Sequence, residues 1–225
     1  MELIIKPKIF QTFPDLVTGI VMANNVNNQG ESEEISQLLR TAEKNLPQEF
    51  INLEAPSKHL KILTWRQAYK KFGSNPQDFR SSIEALSRRV LKGGQIQHIN
   101  KLVDLYNYIS LKYLMPVGGE DINSIKGNII LDFAQGNESF IRLGGTENEP
   151  PKVGEVIYKD DIGVICRRWN WREAERTKLT EQTTSAILVI EGLAPLNKEL
   201  ITQATKDLAD LVKQYCGGEV NYNIK

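Results

Sequence analysis

The chain has 225 residues, enough for one large domain or two small ones with a sizeable core. Its 28 Lys and Arg balance its 28 Asp and Glu, giving zero formal net charge and a pI near 6.8. That balance excludes a polybasic nucleic-acid coat or a binder of anionic membranes acting through bulk charge, so any nucleic-acid contact has to come from a local basic patch. With 40% hydrophobic and 25% charged residues and a mean hydropathy of −0.35, the composition is that of a soluble globular protein, not a disordered one.

The opening ten residues, MELIIKPKIF, are too short and too charged for a signal peptide, and no apolar run reaches membrane-spanning length. No membrane partner is expected. Cys166 and Cys216 each lie in an apolar segment, which favours buried free thiols over a bridge and, by default, a cytoplasmic location. His59 and His98 are the only histidines and neither shows a zinc-type spacing, so no metal and no cofactor are expected. Phosphate-loop, dinucleotide-binding and nucleophile-elbow motifs are absent.

Two strands, Glu2–Ile9 and Val17–Val26, are predicted around Thr12-Phe13-Pro14-Asp15, the second apolar on both faces as in a sheet interior. Ser32 is placed as the cap of a helix with Ile35, Leu38, Leu39, Ala42 and Leu46 on one face, ended by Pro47. Thr64-Trp65-Arg66-Gln67 matches a capping box, opening a helix that buries Trp65, Ala68, Tyr69 and Phe72 up to Gly73. A third helix is placed from Asn75-Pro76, with Phe79, Ile83, Leu86 and Val90 as its stripe and Gly93-Gly94 as its stop. The fourth, Asn100–Leu114, carries Leu102, Val103, Tyr106 and Ile109 and breaks at Met115-Pro116.

From about Asn128 the period becomes strand-like. One hairpin is predicted from Asn128–Ala134 and Ser139–Leu143 around Gln135-Gly136-Asn137, and a second from Glu155–Lys159 and Ile162–Arg168 around Asp160-Asp161. Ser185–Glu191 reads as a buried strand, and Asn197–Cys216 as a final amphipathic helix ended by Gly217-Gly218. Helices in the first half and strands in the second make the class α+β, a mixed β-sheet core packed with helices. One domain over residues 1–225 is expected, with 1–60 as a packed N-terminal extension and the C-terminal helix in 193–225.

The densest polar cluster runs from Arg167 to Lys178. Arg167, Arg168, Arg172, Arg176 and Lys178 interleave with Trp169 and Trp171, directly after a predicted strand. Arginines with tryptophans bind phosphate and stack bases, and Glu173 and Glu175 are too few to neutralise four arginines. The plainer alternative is a surface loop whose tryptophans cap the core while its arginines pair with those two glutamates. A second feature is the turn Met115–Asp121. Gly118-Gly119 would let backbone approach a ligand and offer amides to an anion, and Asp121 would position a water or an amine. Alternatively the segment is only a helix stop and a tight turn. Leu143-Gly144-Gly145-Thr146-Glu147 is a weaker glycine pair of the kind that ends hairpins. Neither histidine has an acid or thiol beside it in sequence, so each reads as a surface or capping residue.

Asn100–Lys126 resembles the editing module (B3/B4 domain) of the phenylalanyl-tRNA synthetase beta subunit, where a helix with V-D-x-x-N-Y runs into a P-L-H-A-F-D turn. Val103, Asp104, Asn107, Tyr108, Pro116 and Asp121 stand at matching positions. The stretch 153–192 resembles the module's closing section, where G-x-M-G-G-E-x-S precedes a threonine and a buried strand. An ungapped register puts Glu175 on the family glutamate, Thr177 on the serine and Thr183 on the later threonine. The likeness covers Phe79 to Gly192 and is closest to the freestanding form of the domain. It departs where Gly118 and Gly119 replace the family His-Ala and Glu173-Ala174 replace its Gly-Gly.

In the parent enzyme the module hydrolyses tyrosine wrongly attached to the phenylalanine tRNA. The resemblance therefore implies an RNA partner, the 3′ end of a tRNA, and trans-editing of a misacylated aminoacyl-tRNA. Glu175, Asp121, Gly118 and Gly119 are the catalytic candidates, and the substrate-binding candidates are Arg167, Arg168, Trp169, Trp171, Arg172, Asn107, Thr177 and Thr183. The loss of the family histidine leaves two other readings open: a non-catalytic binder of an amino acid or nucleotide, and an interaction protein docking through its tryptophan loop.

Overall fold

The computed structural model describes all 225 residues. Its first half contains β1 (Leu3–Ile5), α1 (Pro7–Thr12), β2 (Val17–Asn24), α2 (Glu33–Asn45), α3 (Leu60–Lys71), α4 (Ser82–Leu91) and α5 (Lys101–Tyr113). The second half contains β3 (Val117–Asp121), β4 (Ile129–Phe133), β5 (Val156–Lys159), β6 (Val164–Arg167), β7 (Arg172–Glu173), β8 (Ser185–Gly192), α6 (Lys198–Cys216) and β9 (Glu219–Ile224). Two sheets result, a five-stranded one in the order β1-β4-β5-β6-β7 and a four-stranded one in the order β3-β8-β2-β9. Only the β1–β4 pair is parallel, and the class is α+β.

The smaller sheet has apolar side chains on both faces because both are covered. Val21 and Ala23 of β2 and Leu188 and Ile190 of β8 meet α5 and α6, while Ile20 and Ile187 point to the larger sheet and the early helices. The approach of α6 is close: a Cβ on Gly19 would lie 1.9 Å from Thr205 Oγ1, so only glycine fits there. On the other side Trp65, Tyr69, Phe13 and Trp169 form an aromatic cluster, with Trp169 packed edge-on against Phe13 and Trp65 at 4.7 and 5.0 Å. Residues 1–60 supply β1 and β2, and β2 lies between β8 and β9, so this segment is woven into both sheets.

Local capping chemistry produces the helix starts. The side chains of Ser32, Ser81, Asn100 and Asn197 accept N–H bonds from Ile35, Glu84, Val103 and Leu200. Several expectations from sequence are corrected. The opening strand ends at Ile5, because Pro7 starts a helix at its first position. Thr64 is no cap: the helix begins at Leu60, and the Thr64 hydroxyl donates to the Leu60 carbonyl inside it. Asn75-Pro76 forms a turn, held by the Asn75 side chain accepting from the Gln77 amide, and the third helix waits for Ser81. Ser139–Leu143 does not pair with β4, whose two edges are already taken by β1 and β5. Met115–Asp121 is not a turn, since Val117–Asp121 runs as β3 along β8. The hairpin of β5 and β6, the strand β8 and the last helix stand as expected, and both cysteines are buried and free. Strand β9 is an addition, a mostly polar edge strand that pairs only with β2.

Candidate functional site

A cavity of about 160 Å³ lies where the two sheets face each other. Strand alternation decides what lines it. Gly118 and Glu120 of β3 and Ile187, Val189 and Glu191 of β8 point in from the smaller sheet. Tyr158 of β5, Cys166 of β6 and Glu173 of β7 point in from the larger one. Gly118 matters here because a Cβ would sit 3.3 Å from Glu173 Oε1, so the missing side chain leaves room for that carboxylate. The loop from β6 to β7 closes one end. Arg168 and Trp169 there both adopt positive φ, 46° and 66°, a costly conformation for non-glycine residues, and this bend turns the Trp169 ring inward. The Trp169 amide donates to Val156 O at 2.7 Å, and the Ser82 amide at the start of α4 donates to Asn170 O at 3.0 Å, which fixes the loop.

Three carboxyl groups share this cavity: Glu120, Glu173 and Glu191. Glu191 is 3% exposed and accepts from Tyr158 OH at 2.5 Å and Asn170 Nδ2 at 2.7 Å. Burial nevertheless pushes it up to about 7, against the pull of those donors. Glu173 is half-buried at the mouth, and desolvation pushes it to about 7 while the Gly119 amide and Arg172 pull it back. Glu120 is 7% exposed, and its Oε2 has no hydrogen-bond partner. Burial first, and then the charge of Glu173, holds its carboxyl well above the usual range. Trp169 Nε1 and Thr177 Oγ1 are also buried without partners. Burial pushes the Cys166 thiol well up, which keeps it protonated and a poor nucleophile. No cluster of His, Cys, Asp and Glu side chains is arranged to hold a metal ion, and no helix is long and apolar enough to cross a membrane.

Of the residues singled out from sequence, Gly118, Gly119, Trp169, Trp171 and Arg172 line the cavity. Asn107, Asp121, Arg167, Arg168, Glu175, Thr177 and Thr183 do not. The basic loop is not a free phosphate cradle. Arg167 is 5% exposed and bonds Glu155 through Nε and Nη2 at 3.0 and 2.8 Å, while Arg168, 4% exposed, reaches the same carboxylate at 2.9 Å. The Arg168 guanidinium is also stacked on Phe79 at 3.6 Å. The neutralising acid is thus Glu155 on the neighbouring strand, not Glu173 or Glu175. Trp169 is fully buried and presents no face to solvent; Trp171 is half-buried, edge-on to Phe79 at 5.0 Å, and Arg172 is exposed at the mouth.

Glu175 points away from Gly118-Gly119. Its carboxylate accepts from the Gly144 amide at 2.8 Å and pairs with Lys178 near the surface. The glutamate facing Gly118 is Glu173, two residues earlier. Gly118 and Gly119 lie in extended β3 and form no anion nest. Asp121 ends that strand, bonded to the Thr183 hydroxyl at 2.7 Å and the Asn123 amide at 2.9 Å. Thr177 is buried beside Glu120, and Asn107 is buried on α5. Each histidine does meet an acid, His98 with Asp104 at 2.5 Å and His59 near Glu49 at 3.8 Å, yet neither lines the cavity. Glu120, Glu191, Tyr158 and Asn170 went unnoticed. The available signal was a carboxylate in phase with inward apolar residues, as Glu191 is with Ile187 and Val189.

Known proteins bear on this geometry. Two similar curated proteins are phenylalanine–tRNA ligase beta subunits: one from Fusobacterium nucleatum, 28% identical over 96 residues, and one from Photorhabdus laumondii, 26% identical over 109. The alignments cover 43% and 48% of this chain but only 11% and 14% of those proteins, so the chain corresponds to a small part of either. An N-terminal fragment of the phenylalanyl-tRNA synthetase beta-subunit from Pyrococcus horikoshii shares the fold, with a TM-score of 0.50 over 97% of this chain and 50% of that one at 15% identity. The B3/4 domain model matches residues 64–217, a span that holds most of the chain and every residue lining the cavity. By that match the chain belongs to the B3/4 domain family.

Proposed function

We propose that the chain binds the aminoacyl 3′ end of a tRNA, holds the aminoacyl group in the inter-sheet cavity and promotes hydrolysis of its ester. The observation that carries this reading is Glu173, a carboxyl at the cavity mouth raised to about 7. A group poised near neutrality takes a proton from an attacking water efficiently, and the substrate's own ribose hydroxyl would help orient that water. The relatives named above, being beta subunits of phenylalanine–tRNA ligases, supply the class of substrate. Arg172 and the half-buried Trp171 at the mouth are the groups left to meet phosphate and base, now that Arg167 and Arg168 are committed to Glu155. The reading places the chain where charged tRNA is found, in the cytoplasm.

One observation favours a second reading, a binder without turnover: Gly118 stands where the resemblance puts the family histidine, so no imidazole enters the cavity. Deacylation of a panel of misacylated tRNAs decides between them. Hydrolysis that falls at least tenfold in a folded Glu173→Gln variant is expected, with tRNA affinity that weakens as salt rises. Hydrolysis untouched by that substitution would refute the general-base role, and absence of hydrolysis across the panel would leave the binder.

A further inference from the structure

We propose that Glu120, with Glu173 across the cavity, forms a subsite for an alkylammonium group, so that the ligand enters through a free amine. The inference rests on the reading above in one respect only, that the cavity holds part of an aminoacyl group. Glu120 sits in a strand whose inward neighbours are glycine and, on β8, isoleucine and valine. An aliphatic side chain there would avoid the penalty of an unsatisfied carboxyl oxygen. Instead Glu120 Oε2 is sealed from solvent and bonded to nothing.

The Thr177 hydroxyl lies beside Glu120 and offers a neutral donor, but no cation of the protein is bonded to this carboxyl. The nearby Arg176 is bound to Asp160 at 2.8 Å, and Arg172 lies exposed at the mouth. Glu191 has its oxygens taken by Tyr158 and Asn170. The cavity therefore gathers three carboxyl groups, and an ammonium would stabilise their ionised form where a carboxylate or phosphate would oppose it. Its walls agree: Trp169, Trp171 and Tyr158 present aromatic surface of the kind that attracts cations. Trp169 Nε1 makes no well-formed hydrogen bond but lies within reach of Tyr158 and Glu191, which are its acceptors inside the protein. An ammonium would bring Glu120 the positive charge that the Thr177 hydroxyl lacks. The volume of about 160 Å³ matches a small alkylammonium, since a cavity of about 150 Å³ holds benzene.

The ammonium has two sources, the α-amine of the aminoacyl group or the end of a basic side chain, and small probes separate them. Alaninamide offers the first, Nα-acetyl-lysinamide the second, and N-acetyl-alaninamide neither. Binding is read by calorimetry and by the fluorescence of Trp169 and Trp171. One of the two amines should bind at least tenfold tighter than the neutral amide, and Glu120→Gln should weaken it by about tenfold to a hundredfold while leaving the neutral amide unchanged. Equal binding of amine and neutral amide by the unaltered protein, or no saturable binding of either amine, would overturn the proposal even if Glu120→Gln failed to fold. Full amine affinity in a folded Glu120→Gln protein would overturn it as well. Amine binding with no tRNA deacylation would remove hydrolysis and leave the subsite; deacylation with no amine binding would do the reverse.

Discussion

Glu191 gives the sharpest test of how the cavity is built. It is 3% exposed, and burial moves its carboxyl from the ordinary 4.5 to about 7. At 1.36 kcal/mol per pH unit that difference amounts to about 3 kcal/mol, an order-of-magnitude figure. The sign follows from proton counting. Between about 4.5 and 7 the folded state holds the Glu191 proton more firmly than the unfolded chain does. Folding stability from this group is therefore fully present below 4.5, falls as pH rises through 7, and stays flat above. Glu191→Gln removes the titration. His59, whose imidazole is lowered by burial, drifts the opposite way near its ordinary 6.5, but it does so in both proteins and cancels in the difference. The amide also changes the bond to Asn170, which adds an offset that does not depend on pH. Urea unfolding of both proteins from about pH 4.5 to 8 should show the variant gaining about 3 kcal/mol on the parent across that window. A difference independent of pH would mean that Glu191 ionises as it does in water, and that the cavity floor is wetter than its burial implies.

Two further predictions concern the loop at the cavity's end. Glu155→Ala strands the buried guanidinium groups of Arg167 and Arg168 and should cost about 3–5 kcal/mol in chemical denaturation; a loss under about 1 kcal/mol would refute the buried triad. Trp169→Ala should cost about 3–5 kcal/mol, because the ring is enclosed by Phe13, Trp65 and Phe72, and an unchanged unfolding midpoint would put the ring at the surface instead.

What sequence reasoning recovered was local. Ser32, Asn100 and Asn197 cap their helices through bonds that span three residues, and the β5–β6 hairpin is closed by neighbours in sequence. It failed where the partner is distant. Leu3 pairs with Ile129 across most of the chain, and no local pattern announces a parallel contact of that kind. The reading of Arg167 and Arg168 failed for the same reason: counting charges within the segment missed Glu155, 12 residues upstream of Arg167, which makes these two arginines an internal brace. The likeness to the editing module pointed to β3 and to the loop from β6 to β7, both of which line the cavity. It placed the facing glutamate two residues late, because an ungapped register does not report that β7 ends at Glu173 and that Glu175, beyond it, turns to the Gly144 amide.

The distribution of buried charge separates the scaffold from the site. The acids that brace the fold are matched: Glu155 holds two arginines, Asp160 holds Arg176 and three backbone amides, and Glu84 holds Arg66 and Arg88. Asp160 titrates below its ordinary range, with those amides and Arg176 outweighing desolvation. The three cavity carboxyls go the other way, since burial outweighs the pull of Arg172 on Glu173 and of Arg176 on Glu120. Removing carboxylates from water without counter-charges opposes folding, and substitution by aliphatic residues would relieve it. A chain that neutralises its buried acids elsewhere and leaves these at one inter-sheet cavity has kept an unfavourable local arrangement. The ammonium ligand proposed above would bring the missing positive charge, and its binding would add to the stability of the folded state.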